Sequence, residues 1–134
     1  MEGLHILAEF KRCQGAPALL KEAGALEKLC LQACRDAGLT VVGWLFHPFG
    51  TVAAPAGTTG AVILAESHLA IHTWPEQAAV TLDIYVCNFS RDNRQAAEAA
   101  YARLLQAFQP EQASRRDIRR GSLESDAFAN TTLR

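Results

Sequence analysis

The stretch VTLDIYVC, Val80 to Cys87, decides how the chain is folded. Val80, Leu82, Ile84 and Val86 fall on one side of an extended strand, and Thr81, Asp83, Tyr85 and Cys87 on the other. A strand with one apolar and one polar face belongs in a sheet that helices cover on one side, leaving the polar side to line a site.

The segments around it supply the rest of that sheet and its cover. Leu4 to Phe10 (LHILAEF) reads as a first strand. From Ala18 to Ala37, Leu19, Ala23, Leu26, Cys30, Ala33 and Ala37 recur at three and four, the spacing of a helical stripe, with Gly38 as C-cap and Gly24 delaying the regular helix. Leu39 to Phe46 (LTVVGWLF) is a second strand, and Pro48 to Gly60, dense in turn residues, reads as a long loop. Ala61 to Ala65 and Leu69 to Thr73 are further strands, broken at Glu66-Ser67-His68. Asp92 to Phe108 is a second helix with Ala97, Tyr101, Leu104 and Phe108 inward and Ser90 or Asp92 as N-cap. Ser114 to Arg120 (SRRDIRR) adds a charged edge strand, in which Arg115, Arg116, Arg119 and Arg120 read as a solvated edge in preference to an anion site.

This order predicts an α+β two-layer sandwich, one mainly antiparallel sheet with two helices on one face. It forms a single domain over residues 1–120, followed by a flexible tail over 121–134. The uncovered sheet face calls for a second copy of the chain, hence a homodimer.

Composition narrows the function. With 13 basic and 14 acidic side chains and a formal net charge of −1, the chain has no electrostatic reason to bind nucleic acid or an anionic membrane. The start, MEGLHILAEFKRC, lacks a basic segment followed by a long apolar one, and no stretch reaches the roughly 20 apolar residues that span a bilayer, so a soluble, cytoplasmic protein is expected. Without a secretory signal, Cys13, Cys30, Cys34 and Cys87 are expected as reduced thiols. Cys30/Cys34 and His68/His72, each pair four apart, are the candidates for metal ligation. The cysteines read better as small buried hydrophobes and the histidines as neighbours on one strand face, so no metal is assigned.

Residues 65–76, AESHLAIHTWPE, concentrate Ser67, His68, His72, Trp74 and Glu76 in a run that a bare strand would not need. With Cys87 twenty residues after Ser67, Gly3-Leu4-His5 near the start, Phe46-His47 with Phe49, and the loop Pro55-Ala56-Gly57-Thr58-Thr59-Gly60, this run resembles the prokaryotic, pyruvoyl-dependent class of S-adenosylmethionine decarboxylase proenzymes. The similarity spans roughly residues 3 to 108. Departures from the usual pattern are a longer connection from Phe49 to Pro55, Thr59 in place of serine, Gln77-Ala78-Ala79 in place of His-Gly-Tyr, and Asn88 where glycine is common.

The resemblance implies a self-processing enzyme cut between Glu66 and Ser67 into 1–66 and 67–134. Ser67 would become the pyruvoyl cofactor that forms a Schiff base with substrate. His72 would be the proton acceptor in processing, Thr59 would assist the acyl shift, and Cys87 would be the proton donor in decarboxylation. Phe49 and Trp74 would offer aromatic faces to the adenine and sulfonium of S-adenosylmethionine, and Glu76 would accept the ribose diol. His68 is left with a positioning part, and His5 and His47 read as structural. The product would be decarboxylated S-adenosylmethionine for spermidine synthesis. Two other readings stand beside this: a pyruvoyl-dependent decarboxylase of ornithine or arginine, and a non-catalytic paralogue that binds without processing.

One geometric question follows from the spacing. Ser67 and His72 are five apart, so an unbroken strand points them to opposite faces. Either the chain bends at Ser67, or His72 serves the serine of another strand end or subunit.

Overall fold

A computed structural model describes residues 2–88 and 91–121. In chain order the elements are β1 (Gly3–Cys13), α1 (Ala18–Lys21), α2 (Ala23–Asp36), β2 (Val41–Gly50), β3 (Pro55–Leu64), β4 (Ser67–Trp74), a 3₁₀ turn (Pro75–Gln77), β5 (Ala79–Cys87), α3 (Arg94–Phe108) and β6 (Pro110–Arg120). The six strands form one sheet in the order β2-β3-β4-β5-β1-β6, every neighbouring pair antiparallel. The helices pack on one face, giving the two-layer α+β sandwich expected from the element order.

The alternation of β5 holds through the sheet. Val80, Leu82, Ile84 and Val86 are buried with Ile6, Ala8 and Phe10 of β1 and Leu69 and Ile71 of β4, under Leu26, Cys30 and Cys34 of α2 and Ala97, Leu104 and Phe108 of α3. Burial raises the thiol pKa of both helical cysteines, that of Cys34 to about 11. At Thr73 the core turns polar: its hydroxyl donates to the Leu20 carbonyl (2.9 Å) and accepts the Thr58 N–H (2.9 Å), tying α1 to the sheet.

Several boundaries differ from the sequence reading. The first helix is two, because Glu22 adopts an extended conformation (φ −112°, ψ 115°); the break is there and not at Gly24. Gly38, at φ +86°, follows the second of them as expected of a C-terminal glycine. The expected loop over Pro48 to Gly60 is mostly strand, and only 51–54 connect β2 to β3. Its turn residues suit the sheet: Pro48 lies on an edge strand, Pro55 begins β3, and Gly60 leaves room for the Phe46 ring opposite, which a Cβ there would meet at 2.1 Å. The second helix begins at Arg94 with Asn93 at its cap position; Asp92 accepts the Arg94 N–H (3.0 Å), and Ser90 lies outside the described residues. The expected edge strand is longer than Ser114 to Arg120 and pairs with β1 along its length. Three of its arginines are engaged locally, Arg115 with Glu98 and Asp117, Arg119 with Glu2, and Arg120 with His5. The expected tail beyond Gly121 also lies outside the described residues. No described helix is long and apolar enough to cross a membrane.

No helix among the described residues covers the other sheet face. Cross-strand register puts Leu45, Ile63 and Ile118 on it, each more than 40% exposed, beside a polar band that includes His72, Asp83 and Glu9.

Candidate active site

Leu64 pairs with Ser67, so Ala65 and Glu66 form a two-residue turn between β3 and β4. Glu66 has φ 64°, a left-handed conformation that crowds Cβ against the backbone and costs a non-glycine residue about 1–2 kcal/mol. The peptide bond joining it to Ser67 is the one the sequence reading marks for cleavage. Ser67 is buried, and its Oγ accepts the backbone N–H of Cys87 at 3.1 Å. The Cys87 carbonyl accepts from Nδ2 of the buried Asn93 (2.9 Å), and the N–H of Asn88 donates to the Glu2 carbonyl (2.7 Å). Ser67 and Cys87 are thus adjacent at one end of the sheet, held by side-chain hydrogen bonds to the Cys87 backbone.

His72 and Thr59 are adjacent elsewhere. They face each other across β3 and β4, and Thr59 Oγ1 and His72 Nδ1 share a hydrogen bond of 3.1 Å. His72 opens onto a cavity of about 670 Å³ on the uncovered face, lined also by Glu9, Asp83 and Arg116. The chain does not bend at Ser67: β4 runs unbroken from Ser67 to Trp74, with Ser67, Leu69, Ile71 and Thr73 buried and His68, Ala70 and His72 on the other face. Five residues of strand separate Ser67 from His72 by about 17 Å.

The three expected substrate-binding residues lie at the opposite end of the sheet from Ser67. Trp74 ends β4 and is 44% exposed beside a cavity of about 440 Å³. Glu76 is exposed in the following 3₁₀ turn. Phe49, 48% exposed near the end of β2, stands edge-on to His47 (4.8 Å between ring centroids) and lines a separate cavity of about 680 Å³ with Lys21, Val52 and Pro55. His47 therefore supports an exposed aromatic ring.

One cluster was not legible in the sequence. His5 Nε2 and His68 Nε2 both donate to Asp83 Oδ2, each at 2.7 Å. Arg120 donates to His5 Nδ1 (3.2 Å), which fixes the His5 proton on Nε2, the nitrogen that a metal would need bare. Tyr85 packs against both imidazoles, with centroids 5.6 and 5.8 Å away, and Arg120 lies 4.4 Å over its ring. The shared parity of Asp83 and Tyr85 was visible, but the register that brings β1, β4 and β6 beside them was not.

Residues 4–121 match the family model described as S-adenosylmethionine decarboxylase. Among curated relatives, the S-adenosylmethionine decarboxylase proenzyme of Acidithiobacillus ferrooxidans is 38% identical over 122 residues, covering 91% of this chain and 84% of the relative. That of Pyrococcus horikoshii is 32% identical over 132 residues, covering 98% and 88%. Among solved structures, the adenosylmethionine decarboxylase of Aquifex aeolicus superposes with a TM-score of 0.79 at 28% identity, covering 92% of this chain and 93% of that one. With Ser67, His72 and Cys87 all present and the sheet shared, the chain belongs to the S-adenosylmethionine decarboxylase family.

Proposed function

We propose that the chain cuts itself between Glu66 and Ser67, turns Ser67 into a pyruvoyl group, and decarboxylates S-adenosylmethionine to the aminopropyl donor used in spermidine synthesis. The observation that carries this reading is the position of Ser67, directly after the strained Glu66 and hydrogen-bonded through Oγ to the Cys87 amide. Attack of Ser67 Oγ on the Glu66 carbonyl carbon breaks the C–N bond, leaves an ester, and relieves the left-handed turn. Removal of the Ser67 α-proton then expels the Glu66 carboxylate, and hydrolysis of the resulting dehydroalanine releases ammonia and leaves a ketone at the new N-terminus. Ser67 heads a strand on a buried, hydrogen-bonded backbone, which suits a small group that must be held still. That group supplies an electrophilic carbonyl that captures the substrate amine and takes up the electrons released with carbon dioxide.

The remaining residues act on this centre from a second copy. His72 and Thr59 are a strand length from Ser67 of their own chain and on the other face, and Phe49, Trp74 and Glu76 are farther still. Pairing two chains about a twofold axis through their uncovered faces can bring the Ser67 end of each toward the His72 and Trp74 region of its partner, and it buries Leu45, Ile63 and Ile118. In the pair, His72 takes the Ser67 α-proton with Thr59 holding its ring, Phe49 and Trp74 stack on adenine and sulfonium, and Glu76 binds the ribose diol. Cys87, beside Ser67 in its own chain, returns a proton to the substrate carbon.

Intact mass under denaturing conditions, followed by carbon dioxide release from S-adenosylmethionine, ornithine and arginine, tests this. Fragments 1–66 and 67–134 with preference for S-adenosylmethionine are expected. An uncut chain would overturn the enzyme reading, and preference for either amino acid would overturn the substrate.

A further inference from the structure

Tyr85 is a polar residue of the open face to which the proposed reaction gives no part. It lies two residues before Cys87 on β5, so the two side chains are neighbours on one face. Gly3 of β1 is the direct partner of Cys87. A Cβ on Gly3 would sit 2.8 Å from Tyr85 Cε1 and 3.1 Å from its hydroxyl oxygen, so the phenol lies over Gly3, level with the Cys87 side chain. Three neighbours confine the ring: the Arg120 guanidinium above it, and His5 and His68, both tied to Asp83. Burial first, then the adjoining Cys87 thiol, raises the Tyr85 pKa above its ordinary value, so the phenol keeps its proton and remains a donor at neutral pH.

We propose that Tyr85 is a positioning residue for Cys87, its O–H hydrogen-bonding the sulfur and steadying the thiolate left when Cys87 gives up its proton. The inference rests on the reading of Cys87 as proton donor. In that step the electron pair of the broken C–CO₂ bond takes the proton from Sγ to form a C–H bond, and the S–H electrons remain on sulfur. The Tyr85 hydroxyl then donates to the thiolate until a solvent proton restores the thiol. A hydrogen bond to a charged acceptor is stronger than one to a neutral acceptor, so Tyr85 favours the transfer more than the resting thiol.

Tyr85→Phe keeps the ring and its packing and removes only the hydroxyl. In the full chain, self-cleavage and KM for S-adenosylmethionine should stay within about twofold of wild type, while kcat falls about tenfold. In a Cys87→Ala background the same change should cost nothing further. A readout independent of turnover is tyrosinate absorbance against pH, with Tyr85 assigned by difference from Tyr85→Phe: Cys87→Ala should lower the pH at which Tyr85 ionises. An unchanged kcat, a kcat loss that persists in the Cys87→Ala background, or an unmoved Tyr85 titration would each overturn the inference. Failure of the wild-type chain to cleave or decarboxylate would instead refute the proposed function, a separate outcome.

Discussion

Ser67 and His72 occupy one unbroken strand and point to opposite faces of the sheet, about 17 Å apart. The two residues whose cooperation the proposed self-cleavage needs therefore do not meet within one chain.

Subunit mixing tests that separation. Ser67→Ala should remain uncut, and His72→Ala should stall at or before the ester. Co-expressed as differently tagged chains, the pair should yield cleaved His72→Ala chain, because the Ser67→Ala partner supplies His72. Denaturing gel analysis by tag reads the result, and absence of any cleaved chain from isolated mixed dimers would place processing within a single copy.

Cys87→Ala should separate the two halves of the chemistry. Its backbone N–H still reaches Ser67 Oγ, so cleavage to 1–66 and 67–134 should continue. Loss of the thiol should lower kcat by about 10²- to 10⁴-fold, the usual contribution of a general acid. Steady-state carbon dioxide release measures it, and an unaltered kcat would remove Cys87 from the mechanism.

Ala78, the middle residue of the Gln77-Ala78-Ala79 segment, caps the 3₁₀ turn at φ 49°. Ala78→Gly should remove left-handed strain and raise stability by roughly 0.5–1 kcal/mol, after allowing for the greater chain entropy of glycine. Chemical denaturation of the Ser67→Ala chain gives the comparison, and a loss of stability would show that the packing of the methyl group matters more.

Glu98 links α3 to the edge strand through Arg115, and its hydrogen bonds to that guanidinium hold its pKa below the ordinary carboxylate value. A depressed carboxylate contributes stability that is present above its unfolded pKa and is lost as pH falls through the folded one. Glu98→Gln should therefore reduce the fall in Tm on acidification below the ordinary glutamate range and change the slope little at neutral pH. Thermal melts across that range would refute the assignment if both chains lost stability in parallel.

The limits of the sequence reading have identifiable causes. The loop expected over Pro48 to Gly60 became strand because proline is compatible with an edge strand or a strand start, and Gly60 serves the Phe46 ring of the neighbouring strand. Turn residues report local preference, and here a cross-strand contact overrode it. The helix break fell at Glu22, a residue with no breaking tendency, where the chain turns from α1 into α2.

The sequence by itself determined the alternating faces of β5, the helical stripes, the two-layer class and the motif residues Ser67, His72 and Cys87, because side-chain period and residue chemistry are local properties. Tertiary structure alone decided which of these residues meet. Strand β1, first among the described strands, lies between β5 and β6, the last of them, and that order sets Gly3 opposite Cys87 and gathers His5, His68, Arg120 and Asp83 around Tyr85. Register is set by burying one whole face of the sheet at once, so the company each polar residue keeps on the other face is a consequence of packing remote from it in the chain.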